Sequence, residues 1–231
     1  MLDFIGTIVL VAAIIVSINS LTGAMPISPS QRIAISVGAG LWTGLAAALG
    51  SASLFVGTNP IGPMVIGTVI TFPLVAAAVA SWLSPPARAA VLGMPMPFLI
   101  GLNVWRIAGG FFLLLAAQGR LGGPFPYSAG WGDVITGALA LPVAWLALRG
   151  EGRALVWAWN AFGMLDLVAA LAFGIVSANG SPLQIIHAGE GSQAVQMMPW
   201  SLIPTVLVPM FLIVHGIIFA RLAGPAERTA T

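Results

Sequence analysis

The sequence predicts an all-α, polytopic integral membrane protein, a bundle of seven transmembrane helices, and three observations carry that fold class. Its 231 residues hold 8 basic and 6 acidic side chains, 6% of the chain, where a soluble globular domain carries roughly 25%. Hydrophobic residues make up 59% of the chain and mean hydropathy is +1.04. A water-facing surface cannot be covered from so small a polar stock, so lipid is the expected solvent. The apolar residues also gather into seven stretches, most of them close to the roughly 20 residues that a helix needs to cross a bilayer.

The first stretch, Leu2–Ile18, starts on an acid, Asp3, and has no basic segment before it, which reads as a retained helix rather than a cleaved signal peptide. The second, Ile33–Phe55, contains Gly40-x-x-x-Gly44, a spacing that lets helices approach closely, within the bundle or in a homo-oligomer. The third is Pro63–Leu83, the fourth Pro97–Ala117, the fifth Ala129–Leu148, the sixth Ala154–Val176 and the seventh Trp200–Leu222. Gly, Pro, Ser and Arg punctuate the intervals between them. Each stretch is apolar almost all round, as a membrane helix is and a one-sided soluble helix is not. Pro73, Pro142, Pro204 and Pro209 fall inside stretches and predict kinks, since each removes a backbone donor and crowds the preceding turn. Gly67-Thr-Val-Ile-Thr71 and Gly132-Asp-Val-Ile-Thr136 match loosely, each after a Trp-bearing stretch (Trp42, Trp105), which would make stretches two–three and four–five parallel repeats.

Arginine placement predicts the orientation, because positively charged short loops stay cytoplasmic. Seven crossings place Arg120 on the face of the N-terminus and Arg32, Arg88, Arg149, Arg153, Arg221 and Arg228 on the other. The N-terminus is therefore expected outside and the C-terminus in the cytoplasm of a bacterial-type inner (plasma) membrane. The one long connection, residues 177–199, faces outward and holds His187, Glu190 and three Gln. Such a loop reads as a lid or binding loop, or as an amphipathic piece lying on the interface.

Ionisable groups inside spans are costly, and are there for pairing or for function. They are Arg106, Asp133, Asp166 and His215, joined by the neutral polar residues Asn103 and Asn160. At about 1.5 Å per residue, Asp133 lies near the outer surface, Arg106 and Asp166 lie mid-membrane, and Asn160 and His215 lie in the inner third. Asn103 and Arg106 are three apart and share a face. The expectation is a polar column through the last four helices, with Arg106 paired to Asp133, Asp166 or both. Such a column is either a structural ion pair or a path for an ion, a proton or a polar solute, with His215 as the inward relay.

Several chemistries are excluded or disfavoured by what is missing. The chain has no Cys, hence no disulfide, thiolate metal site or iron–sulfur cluster. It has no Lys either, which rules out a retinal Schiff base. Of its two His, His215 lies in a span and His187 in the outer loop, so a bis-histidine haem lacks its second ligand. No cofactor or metal is expected. The arginines are scattered singly and form no nucleic-acid-binding stripe.

Gly130-Trp-Gly-Asp133 matches the GxGD pattern of intramembrane aspartyl proteases, with Asp166 as the second carboxylate. Here that partner follows GxGD, whereas in presenilin-like enzymes it precedes it. At Arg106…Gly110, Gly130-Trp-Gly-Asp133 and Trp159-Asn160-x-x-Gly163-x-x-Asp166 the chain also resembles a group of small bacterial multi-pass proteins described as hypothetical membrane proteins. The resemblance covers roughly stretches four to seven and implies no activity for any residue. The functional expectation is a small transporter or proton- or ion-conducting protein. Its rivals are a membrane scaffold, subunit or sensor with a structural Arg–Asp pair and, third, an intramembrane enzyme.

Overall fold

The computed structural model describes residues 1–224, so Arg228 lies outside it. All regular structure among the described residues is helical. In order these are α1 (Leu2–Ala24), α2 (Pro29–Ser51), α3 (Gly62–Leu83), a short α4 (Pro85–Leu92), α5 (Met96–Gly101), a 3-10 segment (Leu102–Gly109), α6 (Gly110–Ala117), α7 (Phe125–Leu148), α8 (Arg153–Val176), a 3-10 turn (Gln193–Gln196), a π segment (Ile203–Leu207) and α9 (Val208–Ala223). Seven of the rods so formed are long and apolar enough to cross a membrane, with α5, the 3-10 segment and α6 forming one and the π segment with α9 forming another.

Local chemistry explains where these helices depart from the apolar stretches. The first runs on past Ile18 to Ala24 because its late polar residues bond back into it. Asn19 Nδ2 donates to the Ile15 carbonyl at 2.8 Å and Thr22 Oγ1 to the Ile18 carbonyl at 2.9 Å. The second starts at Pro29, ahead of Ile33, because Ser28 and Gln31 form a capping box and proline suits the first helical position. Ser84 ends α3 and caps α4, its Oγ accepting from Ala87 N at 3.3 Å. In the last rod, Pro209 has no N–H for the carbonyl one α-turn back, and the backbone widens to π geometry over the five residues before α9.

α7 is the central rod, packed against the 3-10 segment, α5, α6 and α8, while α9 bridges α8 and α3. α2 is the most peripheral and buries only Ala46 and Gly50 fully. The buried apolar residues form two clusters. One, toward the N-terminal end of the bundle, holds Leu10, Phe112, Leu167, Trp200 and Phe211, and the other holds Leu99, Val143, Val156, Trp159 and Ile218. Along α7 and α8 the polar residues Asp133, Asn160 and Asp166 fall between the two clusters in sequence, while His215 of α9 lies among residues of the second.

The two ends of the bundle are chemically distinct. At one end Arg32 reaches the Gly23 carbonyl, Arg153 the Leu222 carbonyl and Arg221 the Met94 carbonyl. Basic side chains there close carbonyls left open at helix ends. The other end holds Arg120, Asp3 and the 177–199 loop. Between the ends the surface is apolar, with Phe4, Leu41, Trp82, Leu148 and Leu165 all more than two-thirds exposed.

Candidate functional site

Four of the residues singled out in the sequence as ionisable and one as neutral polar meet at a single point. Arg106, from the 3-10 segment, donates Nε–H to Asp133 Oδ1 of α7 at 2.7 Å and Nη2–H to Asp166 Oδ2 of α8 at 2.5 Å. Its Nη1 donates to the Gly163 carbonyl at 3.0 Å and stands 3.0 Å from His215 Nε2 of α9. The Arg106 side chain has no exposed surface, and those of Asp133 and Asp166 are 9% and 7% exposed.

The histidine tautomer follows from these partners. A guanidinium has only donors, so His215 Nε2 must accept from Arg106, and the ring proton sits on Nδ1. Nδ1–H then donates to Asn160 Oδ1 at 2.7 Å, and Asn160 Nδ2 donates to the His215 carbonyl at 3.1 Å. An imidazolium would set N–H against N–H. Trp159 closes the near side, with its ring 5.5 Å from His215 and its Nε1 donating to the Thr136 carbonyl at 3.1 Å. Asn160, Gly163 and Asp166 span six positions of α8, about 9 Å along the axis. The expected column is therefore a compact network around one guanidinium.

Three glycines make room for it. A Cβ on Gly132 would overlap the Asp166 carboxylate, one on Gly109 would overlap Asp133, and one on Gly163 would stand 2.6 Å from His215 Cε1 and 2.9 Å from Arg106 Nη1. Their role shows in the sequence only as small residues one or three positions from the charged ones on the same strand of helix, a signal legible once the charged residues are known to meet.

A cavity of about 290 Å³ adjoins the network in the cleft between α3 and α8, with Asp133 on its wall. Ile66, Ile70, Leu167, Leu171 and Val208 line much of the remainder. One end of it is covered by the 177–199 loop, which is pinned by Gly57 N donating to Gln196 Oε1 at 2.8 Å and Ser192 Oγ donating to the Gly174 carbonyl at 2.6 Å. Gln196 and Ser192 are buried.

The remaining sequence candidates stand apart. Asn103 is buried but bonds back to the Leu99 and Ile100 carbonyls rather than to Arg106, and its Oδ1 has no partner among the described residues. His187 and Glu190 are exposed on the loop, away from the cavity lining. No group of three or more His, Asp or Glu among the described residues could hold a metal ion. A further contact joins residues far apart in sequence. Asp3 Oδ1 accepts from Arg120 Nη1 and from Trp200 Nε1, both at 2.7 Å, which clasps the start of α1 to the connections before α7 and before the π segment.

Among the described residues, fold and site together give a helical bundle with seven helices long and apolar enough for a membrane and a buried charge network in the last four rods. The chain belongs to the family described as a domain of unknown function (DUF8737), which matches residues 63–223 and so takes in every member of the network. No curated protein matches the chain, and no solved structure matches it.

Proposed function

We propose that the protein is an integral protein of a bacterial-type inner membrane, with its N-terminus outside and its C-terminus in the cytoplasm, and that it is a proton-coupled transporter. The surface supports the first part, since water would not tolerate so many exposed Leu, Phe and Trp side chains between two ends that differ in basic residues.

The observation that carries the second part is the charge count of the network. One guanidinium bonds two carboxylates, while the histidine beside it is held neutral by its partners. An ion pair built only to fix packing balances with one of each sign. Here one negative charge is left over, and an unbalanced charge at mid-membrane costs at least about 2.5 kcal/mol on insertion scales. A proton taken up at Asp133 or Asp166 removes that cost, and its exchange couples the site to the proton gradient. The GxGD alternative fits less well, because each carboxylate here bonds a different nitrogen of Arg106, whereas that chemistry shares a proton between two carboxyls. The scaffold reading draws on the complete burial of Arg106 and on its four occupied donors.

Infrared difference spectroscopy on the reconstituted protein, with aspartate carrying a carbon isotope label, decides between them. One aspartic acid C=O band should appear or vanish between mildly acidic and mildly alkaline buffer, and should be absent in both Asp133→Asn and Asp166→Asn. Proteoliposomes with an imposed pH gradient and a luminal pH dye provide the companion flux assay. A silent carboxyl region together with no proton movement assigns the network to the scaffold.

A further inference from the structure

The proton-coupled reading leaves the transported solute unnamed, and the cavity beside Asp133 narrows it. Resting on that reading, we propose that this cavity takes a lipophilic amine, whose apolar body fills the cleft between α3 and α8 and whose ammonium group bonds Asp133 Oδ2 in exchange for a proton.

Four observations converge on that chemistry. The first is size and lining. At about 290 Å³ the cavity is roughly twice the ~150 Å³ apolar hole that accepts a benzene ring, and its wall is Ile, Leu, Val, Phe and Ala broken by few polar groups. The body that fits is therefore compact and apolar. The second is the single charged group on that wall. Asp133 is 7% exposed, its Oδ1 is taken by Arg106, and among the described residues nothing donates to its Oδ2. Asp133 is thus a carboxylate with one oxygen short of a donor beside an apolar cavity, and a donor there would offset its charge.

The third is the sign of that donor. The groups around Asp133 are Arg106 from the 3-10 segment, Asp166 of α8 on the same guanidinium, and His215 of α9 behind it, a set with one negative charge in excess. The cavity lining carries no basic side chain among the described residues. An acidic ligand would be repelled and an alcohol would leave the charge in place, whereas an ammonium satisfies Oδ2 and balances the network. The fourth is access. Ile175 and Leu183 line the cavity and are 47% and 54% exposed, so its mouth lies on the apolar flank where α8 meets the outer loop. A solute that partitions into lipid reaches it sideways. The charge balance of the exchange is simple. The amine arrives as its ammonium form, one carboxyl proton leaves to water, and no bond to carbon changes.

The test uses the full-length protein in lipid nanodiscs, titrated calorimetrically with 4-phenylbutylamine and its neutral counterpart 4-phenylbutanol, with empty nanodiscs subtracted. The amine should bind about tenfold tighter than the alcohol, as a charge-assisted hydrogen bond requires, and a pH dye in weak buffer should report one proton released per amine bound. Asp133→Asn should erase the preference and the proton release while alcohol binding persists, which shows that the cavity has survived. Ala170→Phe, which fills the cavity from its α8 wall, should abolish binding of both probes and remains informative if the Asp133 variant does not fold. Equal affinity for the two probes, binding of neither, amine binding without proton release, or an unaffected Ala170→Phe overturns the proposal. If the amine fails while an aspartic acid band still titrates in the infrared, only the solute is wrong. If that band is silent, the proton-coupled reading itself falls.

Discussion

Arg106 gathers four partners because a guanidinium is a flat fork of donors that stays charged at any accessible pH, and here its Nε faces α7, its Nη2 faces α8 and its Nη1 reaches both α8 and α9. Removing it strands two carboxylates in an apolar interior. Arg106→Ala should therefore cost about 3 kcal/mol or more, read by equilibrium unfolding in mixed micelles. Combining it with Asp133→Asn should recover part of that loss. Strict additivity of the two changes would show that the contact contributes no coupling. Gly132 tests the steric side. Gly132→Ala places a methyl on the Asp166 carboxylate and should destabilise by about 1–3 kcal/mol, the usual range for overpacking. Gly216→Ala and Gly40→Ala, whose added Cβ meets nothing within 4 Å, should leave unfolding nearly unchanged. Equal effects at all three glycines would refute the steric account.

The 3-10 segment explains how one rod presents its polar residues along a single line. With three residues per turn, residues three apart eclipse one another. Asn103, Arg106 and Gly109 are accordingly all buried, and Gly109 leaves the space that Asp133 occupies. In an α-helix Gly109 would rotate away from that line. The 177–199 loop shows the opposite strategy, an irregular segment held by side-chain bonds to its neighbours. Gln196→Ala removes the acceptor for Gly57 N and the bond to Ser192. Hydrogen exchange in the loop should speed up several-fold, in line with a net loss of about 1 kcal/mol per bond, while exchange in α7 and α8 stays as it was. Uniform acceleration across all helices would mean that the loop is part of the global fold rather than a locally fastened cover.

The proposed membrane arrangement is open to a direct test, because the sequence has no cysteine. Glu151, between α7 and α8, and Glu190, in the 177–199 loop, are both exposed and lie at successive ends of one rod. Single cysteines at these positions should label from opposite sides of intact spheroplasts, Glu190→Cys from outside and Glu151→Cys only after permeabilisation. Labelling of both from one side would overturn the seven-crossing arrangement, and the reverse pattern would invert the orientation.

The helical class and the seven apolar rods were legible in the chain because a bilayer imposes a length and a composition that any reader can count, and a kinked or irregular rod still has both. Arg106, Asp133, Asp166, Asn160 and His215 stood out for the same reason, as polar groups where polarity is costly. Helical rise also placed Arg106 and Asp166 at one depth. What the chain could not show was convergence. Depth says nothing of which faces turn inward, so a column was expected where the rods enclose a compact network, and Asn103 was grouped with Arg106 although it bonds back to its own rod. The helix ends at Ala24 and Pro29 depended on side-chain bonds that apolar counting ignores. The cavity beside Asp133, the glycines that admit the network and the clasp of Asp3 to Trp200 join residues distant in sequence. Such contacts arise from how the rods pack, since close packing is a property of facing surfaces and no single segment carries it.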